Sequence, residues 1–227
     1  MRVMGRSLAV ARAGVVPYER AVAWQEALVA RRCAGGEDCL VLLEHPPVYT
    51  LGRGADPRFL GAGASGSIPV VRTSRGGQVT YHGPGQLVGY PILDLRGHRQ
   101  DVHWYVRTLE QALIDALVVL GIPGGRVSGR PGVWVDGRRK IASIGVGIRR
   151  WVTWHGFALN VAQDLSGFAA ITPCGIAGVE MTSVAREGGP GDMDEVAGVV
   201  LAAFAERFGY DTVSPMAIPV EQPELRA

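Results

Sequence analysis

Residues 133–148, VWVDGRRKIASIGVGI, contain the clearest hairpin pattern in the sequence and indicate which kind of sheet the chain forms. It begins with two valines around a tryptophan, and the pair Asp136-Gly137 then favours the left-handed backbone of a two-residue hairpin turn. Residues 138–148 continue as a second strand, and a third strand is predicted over residues 152–161. Strands that follow one another through such short turns pair antiparallel. The middle of the chain therefore predicts an antiparallel region of a sheet.

Helices are predicted on either side of this hairpin in the sequence. Asp101 provides an N-cap before apolar residues at helical spacing, and Asp192 with Glu195 has the spacing of a capping box. The predicted helices cover residues 18–33, 101–121 and 192–209. Further strands are predicted at residues 39–43, 68–73 and 86–95. This order predicts an α+β fold with a mixed or largely antiparallel sheet that is backed by helices.

Length and composition predict a single domain over residues 1–227. A chain with 47% hydrophobic and 19% charged residues is expected to bury one core, since cores grow to roughly 250 residues before chains divide. No apolar run approaches the roughly 20 residues that span a bilayer, and residues 1–13 lack the features of a secretory signal. We therefore expect a cytoplasmic protein with no membrane partner. A net charge of +2 is too weak to indicate a nucleic-acid partner.

The three cysteines are expected to be reduced thiols, because an odd number cannot pair completely within one chain. Cys33 and Cys39 lack the neighbouring cysteines or histidines of a zinc site, and no metal is predicted. Cys174 lies between a proline and a glycine, in a bend that would present its thiol as a nucleophile. The alternative is that Cys174 is a small buried hydrophobic residue.

A glycine-rich loop, RGGQVTYHGPGQ at residues 75–86, follows one predicted strand and precedes another. Glycines allow the backbone to approach a ligand closely, and Arg75, Gln78, Tyr81 and His82 add polar side chains in the same loop. The alternative is a hairpin turn that is rich in glycine for steric reasons alone. The polar side chains favour a binding loop.

Side chains two residues apart in a strand point to the same face, and this rule predicts the neighbours of Lys140 in the second hairpin strand. Counting by two predicts that Lys140 shares its face with an apolar row. The row consists of Ala142, Ile144, Val146 and Ile148. Burial would disfavour the ammonium form and make this lysine a usable base near neutral pH. The alternative is a lysine at the start of the strand whose ammonium group reaches water.

The opposite face of the same strand carries Ser143, Gly145 and Gly147, whose small side chains would leave a groove for a straight acyl chain. His155 and Phe157, which alternate with small residues in the next strand, are predicted to complete the wall of this pocket. Close packing of the backbone against another element would explain the small residues equally well. The other histidines, His45, His98 and His103, are interpreted as solvated or core residues.

Together these motifs resemble the lipoyl(octanoyl) transferase, or octanoyltransferase, family. The resemblance rests on five segments that occur in family order between His45 and Ser183. They are HPPVYTLGR at 45–53, RGGQVTYHGPGQ at 75–86, KIASIG at 140–145, HGFALN at 155–160 and TPCGI at 172–176. Residues before Val10 and after Pro215 lie outside the resemblance.

The resemblance implies a fold similar to the catalytic domain of biotin and lipoate protein ligases. It also implies an acyl-thioester intermediate on Cys174, with Lys140 favouring the thiolate and shuttling protons. The family's acyl-binding positions correspond to Arg75, Gly76, Gly77, Gln78, Val79, Thr80, Tyr81, His82, Ser143, Ile144, Gly145, Gly156, Phe157 and Ala158. Because a thioester is already activated, neither ATP nor a metal nor another cofactor is expected.

The partners implied by the resemblance are octanoyl-acyl carrier protein as the donor and lipoyl domains as the acceptors. These lipoyl domains belong to 2-oxoacid dehydrogenase complexes, and the glycine cleavage H protein is a further acceptor. We expect a monomer. Basic residues at Arg138, Arg149 and Arg150 are candidate contacts with an acidic carrier, although a strand edge guarded by charge is the alternative. Backbone amides at Gly77 and Gly145 are candidates for stabilising the tetrahedral oxyanion.

Three other functions are compatible with a protein of this kind. An ATP-dependent lipoate or biotin ligase of the same fold would not need the Cys174 nucleophile. A non-catalytic carrier-binding relative would be free to lose either Lys140 or Cys174, and this chain retains both. A cysteine hydrolase would release free octanoate as its main product.

Overall fold

The computed structural model of the protein describes residues 5–61, 66, 68–172 and 178–218. Its helices are α1 (Tyr18–Cys33), α2 (Val102–Val119) and α3 (Met193–Phe208). Its strands are β1 (Ser7–Val15), β2 (Cys39–Glu44), β3 (Val48–Leu51), β4 (Val70–Arg72), β5 (Val79–His82), β6 (Gln86–Ile92), β7 (Gly124–Val127), β8 (Arg130–Val135), β9 (Arg139–Arg149), β10 (Val152–Asn160), β11 (Glu180–Met181) and β12 (Thr212–Pro215).

Most strands belong to one mixed sheet with the order β12-β1-β2-β6-β10-β9-β8-β7, and β11 pairs with β9. The strands β12, β1 and β2 are parallel, whereas β2 to β7 form an antiparallel series. A second, smaller sheet has the order β4-β3-β5. The predicted α+β fold, with a mixed sheet backed by helices, is confirmed.

Apolar clusters lie on both faces of the main sheet. Helices α2 and α3 cover one face, where residues such as Leu109 and Phe204 pack on Val133 and Leu159 of the strands. Helix α1 covers part of the other face through Trp24 and neighbouring apolar residues. The small sheet covers a further cluster. We call the first face the core face and the second the cavity face, because a cavity separates its strands from the small sheet.

Local signals placed the helices correctly. The Asp101 carboxylate accepts a hydrogen bond from the N–H of Trp104 at 3.0 Å, and Asp192 caps α3 by accepting from Glu195 N–H at 2.8 Å. Gly209 ends α3 in the left-handed conformation, with φ of 71°. Within the described part of the chain, no helix is long and apolar enough to cross a membrane.

Strands β1, β3 and β5 were not predicted, whereas β4 of the small sheet lies within the strand predicted at residues 68–73. Residues 7–15 contain several small side chains, and they become a strand because they pair in parallel with β2 and β12, which are distant in sequence. Strands β3 and β5 are only 4 residues long and stand in a glycine-rich region that the sequence presented as loop. Their partners, rather than their local pattern, determine their conformation.

Candidate active site

A cavity of about 150 Å³ lies between the cavity face of the main sheet and the small sheet. Its floor contains two pairs of directly opposed small residues on β9 and β10, Ser143 with Ala158 and Gly145 with Gly156. Cavities of this size, when lined by apolar side chains, stay dry and admit small apolar guests. The groove predicted from Ser143 and Gly145 is therefore present, but Gly147, also predicted to form it, packs against Trp154 and does not line the cavity.

Twelve of the fourteen predicted acyl-binding residues line this cavity. They are Arg75, Gly77, Gln78, Val79, Thr80, His82, Ser143, Ile144, Gly145, Gly156, Phe157 and Ala158. Gly76 and Tyr81 do not line it. Tyr81 alternates with Thr80 and His82 along β5, so its ring turns away and packs 5.4 Å from that of Tyr49. That these residues bind substrate stays a prediction.

The loop at residues 75–78 is held against the site by buried hydrogen bonds. Arg75 is only 8% exposed, and its Nη2 donates to the carbonyl oxygen of Thr50 at 2.7 Å and to Thr50 Oγ1 at 2.8 Å. Gly76 N–H donates to the carbonyl of Val146 on β9 at 2.8 Å, which explains why Gly76 fastens the loop instead of lining the cavity. Gly52 lies directly against this loop, because a Cβ atom at residue 52 would lie only 2.1 Å from the carbonyl oxygen of Gly77.

Three buried histidines lie at or behind the cavity wall: His82 and His155 line the cavity, and the ring of His45 packs against that of His82. His45 Nδ1 donates to Val16 O at 2.6 Å, and the hydroxyl of Tyr90 donates to His45 Nε2 at 2.7 Å. Burial lowers the pKa of His45 to about 4. Burial, aided by the nearby Arg75 cation, also lowers the pKa of His155 to about 4. Burial keeps the pKa of His82 well below its usual value, with His45 and Arg75 contributing. All three imidazoles are therefore neutral at pH 7.

His155 reaches the cavity through a local departure from strand geometry. Its φ is +53°, in the left-handed region. Successive side chains of a regular strand point to opposite faces, but the rings of Trp154 and His155 stack with centroids 4.4 Å apart. The N–H of His155 donates to Gln25 Oε1 at 2.7 Å, which anchors the kink to α1.

Lys140 is buried, as predicted, but the predicted face is wrong. Trp134 of β8 lies opposite Lys140, whereas Val133 lies opposite Ala142, so β9 contains one extra residue, Ile141. This β-bulge reverses the alternation. Ala142, Ile144, Val146 and Ile148 pack on the core face, whereas Lys140 lies with Trp134 on the other face. Counting by two failed because a bulge depends on the partner strand.

The surroundings of Lys140 connect it with the cavity wall. Its side chain is 1% exposed, and its Nζ donates to the carbonyl of Pro131, a cavity-lining residue, at 2.9 Å. The same Nζ lies 5.2 Å from the centre of the Trp134 ring, within the range of a cation–π contact. Lys140 is also the single lysine in the whole sequence, in which every other basic side chain apart from histidine is an arginine.

Cys174 lies outside the described residues, and its proximity to Lys140 stays a prediction. The described chain on either side of it has defined contacts. Thr172 N–H donates to Phe59 O at 2.8 Å. After Gly178 the chain enters β11, where Met181 pairs directly with Lys140, and Thr182 N–H donates to the carbonyl of Lys140 at 2.9 Å.

Strand pairing shows how the backbone of Gly145, one of the two oxyanion candidates, is oriented, and the role of both candidates stays a prediction. Arg149 and Val152 flank a two-residue turn and so form a hydrogen-bonded pair. Hydrogen-bonded pairs alternate with non-hydrogen-bonded pairs along an antiparallel ladder, so Gly145 and Gly156 also form a hydrogen-bonded pair. The N–H of Gly145 therefore points toward β10 and away from the cavity edge. Ile144 has the opposite orientation, so its N–H points away from β10. Gly77 lines the cavity, as expected.

Known proteins similar to this chain agree with its fold. The sequence profile of the lipoyl protein ligase A/B catalytic domain matches residues 17–205. An octanoyltransferase of Gloeobacter violaceus is 54% identical over 208 residues, covering 91% of this chain and 92% of the relative. An octanoyltransferase of Geobacter sulfurreducens is 53% identical over 190 residues, covering 83% of this chain and 79% of the relative.

Solved structures at low sequence identity share the fold. A putative lipoate protein ligase of Thermoplasma acidophilum with bound lipoic acid has a TM-score of 0.71 at 18% identity, covering 94% of this chain and 90% of its own. A lipoate-protein ligase A bound with ATP has a TM-score of 0.70 at 20% identity, covering 93% and 90%. The biotin protein ligase of Aquifex aeolicus, in complex with biotin and ATP, has a TM-score of 0.52 at 14% identity, covering 88% and 70%.

Proposed function

Because the chain belongs to the octanoyltransferases of the lipoyl protein ligase A/B catalytic-domain family, we propose that it transfers an octanoyl group from acyl carrier protein to a lysine of a lipoyl domain. The chain is an acyltransferase. The acceptors are the lipoyl domains of 2-oxoacid dehydrogenase complexes and the glycine cleavage H protein, and the transfer passes through a thioester on Cys174. The enzyme works as a monomer in the cytoplasm, where its thiol stays reduced.

The observation that carries this proposal is the position of Lys140. Burying an ammonium group is costly unless it is hydrogen-bonded, and long charged side chains are almost never fully buried without a partner. This chain buries its single lysine, whose Nζ donates to the Pro131 carbonyl, beside a cavity with a floor of small residues. A buried amine at the edge of such a cavity is suited to moving protons for an acyl group that lies inside it.

In the first half-reaction, the Cys174 thiolate attacks the carbonyl carbon of the octanoyl thioester. The carbon–sulfur bond to the carrier's thiol breaks, and the ammonium group of Lys140 gives that thiol its proton. The product is an octanoyl thioester on Cys174 with a neutral Lys140 amine. Backbone N–H groups at Gly77 and Ile144 are suited to stabilise the tetrahedral oxyanion.

In the second half-reaction, the neutral amine of the acceptor lysine attacks the acyl-enzyme. An amide bond forms, the Cys174 thiolate leaves, and Lys140 takes the proton from the attacking nitrogen. The thiolate and ammonium pair of the starting enzyme is thereby restored. The octanoyl chain lies over the floor formed by Ser143, Gly145 and Gly156.

Intact-protein mass spectrometry tests this proposal after the protein is mixed with octanoyl-acyl carrier protein. We expect one octanoyl adduct, which peptide mapping places on Cys174 and which a lipoyl domain removes. Cys174→Ser should form no thioester. Cys33→Ala is the matched control, because Cys33 is partly exposed and should be dispensable. Burial raises the pKa of Cys39 to about 12, so this thiol should not compete.

The same experiment separates the other functions. Transfer that requires free octanoate and ATP, and that survives Cys174→Ser, would indicate an ATP-dependent ligase. Binding of the carrier without any adduct would indicate a non-catalytic relative. Free octanoate as the main product in the presence of a lipoyl domain would indicate a hydrolase.

A further inference from the structure

Glu110 is a buried carboxylate on the core side of the sheet, in the middle of α2. Its side chain is 1% exposed. Oε2 accepts hydrogen bonds from Arg107 Nη1 at 2.8 Å and from Arg126 Nε at 3.0 Å. Oε1 accepts from the backbone N–H of Gly132 on β8 at 3.0 Å. The carboxylate thus connects α2 with both strands of the β7–β8 hairpin.

The peptide group between Pro131 and Gly132 connects this carboxylate with Lys140. Its N–H belongs to Gly132 and points to Glu110, and its carbonyl belongs to Pro131 and accepts from Lys140 Nζ at 2.9 Å. A hydrogen bond to the N–H polarises the peptide group and strengthens its carbonyl as an acceptor. The Glu110 carboxylate is therefore linked to the acceptor of Lys140 Nζ through a single peptide group.

Gly132 is the residue that makes this arrangement sterically possible. Its φ is +115°, a region that residues with a side chain rarely adopt. A Cβ at this position would lie 2.4 Å from Ala142 O and 2.8 Å from Lys140 Cε. The backbone at Gly132 therefore passes against the lysine stem, and its conformation determines where the Pro131 carbonyl points.

We propose that Glu110 is a positioning residue for Lys140, acting through the Pro131–Gly132 peptide group. The role rests on the proposed function, in which Lys140 donates and accepts the transferred protons. Glu110 holds the carbonyl that orients Nζ, and its charge sets the pH range in which the lysine is protonated. It touches neither the acyl group nor the carrier.

Other charged groups lie around the two ends, including Arg130, whose guanidinium lies 5.9 Å from the centre of the same Trp134 ring. Arg107 and Arg126 face Glu110 from α2 and β7. Asp115, one turn further along α2, bonds Arg207 of α3 and Gln111. Beside Lys140, Arg139 bonds Glu187 and Asp136, and Glu180 of β11 lies opposite Arg139 in register. Changing Glu110 or Arg126 therefore alters the charge at the far end of this peptide group without removing a group that contacts Nζ.

The test uses the single lysine of the chain, because protein labelled with ¹³C at lysine Cε gives one lysine side-chain signal. In Glu110→Gln, the amide oxygen still accepts from Gly132 N–H, but the negative charge is lost. We expect the titration midpoint of this signal to fall by about one pH unit, a tenfold change in the protonation equilibrium. The rate of Cys174 octanoylation should show the same displacement in its pH profile.

A second variant makes the opposite prediction. Arg126→Gln removes a cation beside the carboxylate, so the midpoint should rise, by about half a pH unit. A purely structural role for Glu110 would not produce shifts of opposite sign in these two variants. Where Glu110→Gln does not fold, the Arg126→Gln result decides alone. Asp115→Asn, which breaks a comparable ion pair on the same helix, should leave the midpoint unchanged.

The proposal would be overturned if the variants of Glu110 and Arg126 that fold had midpoints within about 0.2 pH units of the wild type. It would also be overturned if Asp115→Asn shifted the midpoint as much as those variants do. The NMR titration needs no turnover, so it distinguishes the two proposals. An absent adduct on wild-type Cys174 would contradict the proposed function even if the lysine signal shifts as expected.

Discussion

The core face of the main sheet is apolar, whereas the cavity face, built from the same strands, carries a buried lysine and a buried histidine. On β9, Ile141 and Ala142 pack among helices α2 and α3, and both are fully buried. Their neighbours Lys140 and Ser143 lie on the opposite face. On β9 the sheet thus separates the apolar pair Ile141 and Ala142 from Lys140 and Ser143, whereas Ile144 and Phe157 belong to the core cluster and also line the cavity.

Two departures from strand alternation produce this separation. The bulge at Ile141 turns Lys140 away from the core face, and the left-handed backbone of His155 turns its imidazole toward the cavity. Bulges and left-handed non-glycine residues cost free energy and concentrate at functional sites. The cavity face is therefore the less regular of the two, and the core face supplies the stability that offsets its irregularity.

The largest expected difference between the faces lies at the bulge itself. Lys140→Ala should lower the rate of octanoyl transfer by about 10²- to 10⁴-fold, the usual contribution of a proton-transfer group, with little change in the circular dichroism spectrum. Ile141→Ala should instead cost about 2–5 kcal/mol of unfolding free energy, with transfer per folded molecule nearly unchanged. Single-turnover transfer and urea unfolding measure the two effects. Equal losses of activity in both variants would contradict the separation of roles.

The next difference is in the response of the cavity face to acid. Folding lowers the pKa of His45 and of His155 from about 6.5 to about 4. Between these values the unfolded chain binds more protons than the folded one, so stability is full above pH 6.5 and is lost as the pH falls toward 4. Each histidine contributes up to roughly 3 kcal/mol of this loss.

Urea unfolding at pH 7, 6 and 5 measures this dependence above the range in which most carboxylates titrate. His155→Gln should make the unfolding free energy less dependent on pH, because one of the buried imidazoles is gone. Desolvation raises the pKa of Asp38, but its hydrogen bonds to His98 and Arg32 outweigh this effect and lower the pKa to about 2. The stability that Asp38 contributes is therefore lost only at lower pH. A pH dependence that is the same in wild type and His155→Gln would refute the assignment.

The smallest expected effect distinguishes adjacent residues of β9. Ser143→Leu adds volume to the cavity floor and should reduce transfer of octanoyl groups by about tenfold, because the loss of cavity space costs on the order of 1–3 kcal/mol. Shorter acyl groups should be transferred nearly normally. Ala142→Leu adds a similar side chain to the core face, where it should lower stability by about 1–3 kcal/mol without changing chain-length preference.

Transfer rates for acyl groups of several lengths, together with urea unfolding, decide between these outcomes. If Ala142→Leu changed the preference for chain length as strongly as Ser143→Leu, the cavity would not be confined to one face of the sheet.

Much of this architecture could be predicted from local signals. The Asp136-Gly137 turn adopts positive φ at both residues, as its sequence favours, and Asp101 and Asp192 cap their helices. Most of the predicted acyl-binding residues line one cavity. These features depend on turn preferences, capping and short motifs, which neighbouring residues in the chain determine.

The neutral histidines and the role of Glu110 had no local signal. His45 lies far in sequence from Val16 and Tyr90, which bond its two ring nitrogens. Glu110 reads in the sequence as one polar residue of an amphipathic helix, and its contact with Gly132 joins residues 22 positions apart. Only chain folding brings such partners together.

The α+β class, the helices, the central hairpin and the family of the protein all follow from local patterns in the amino-acid sequence. The tertiary structure alone decided that Lys140 lies on the cavity face, because the register between β8 and β9 places the extra residue at Ile141. It also directs the N–H of Gly145 toward β10 and that of Ile144 away from it. Both follow from strand pairing, a property of two segments together that neither segment's own pattern contains.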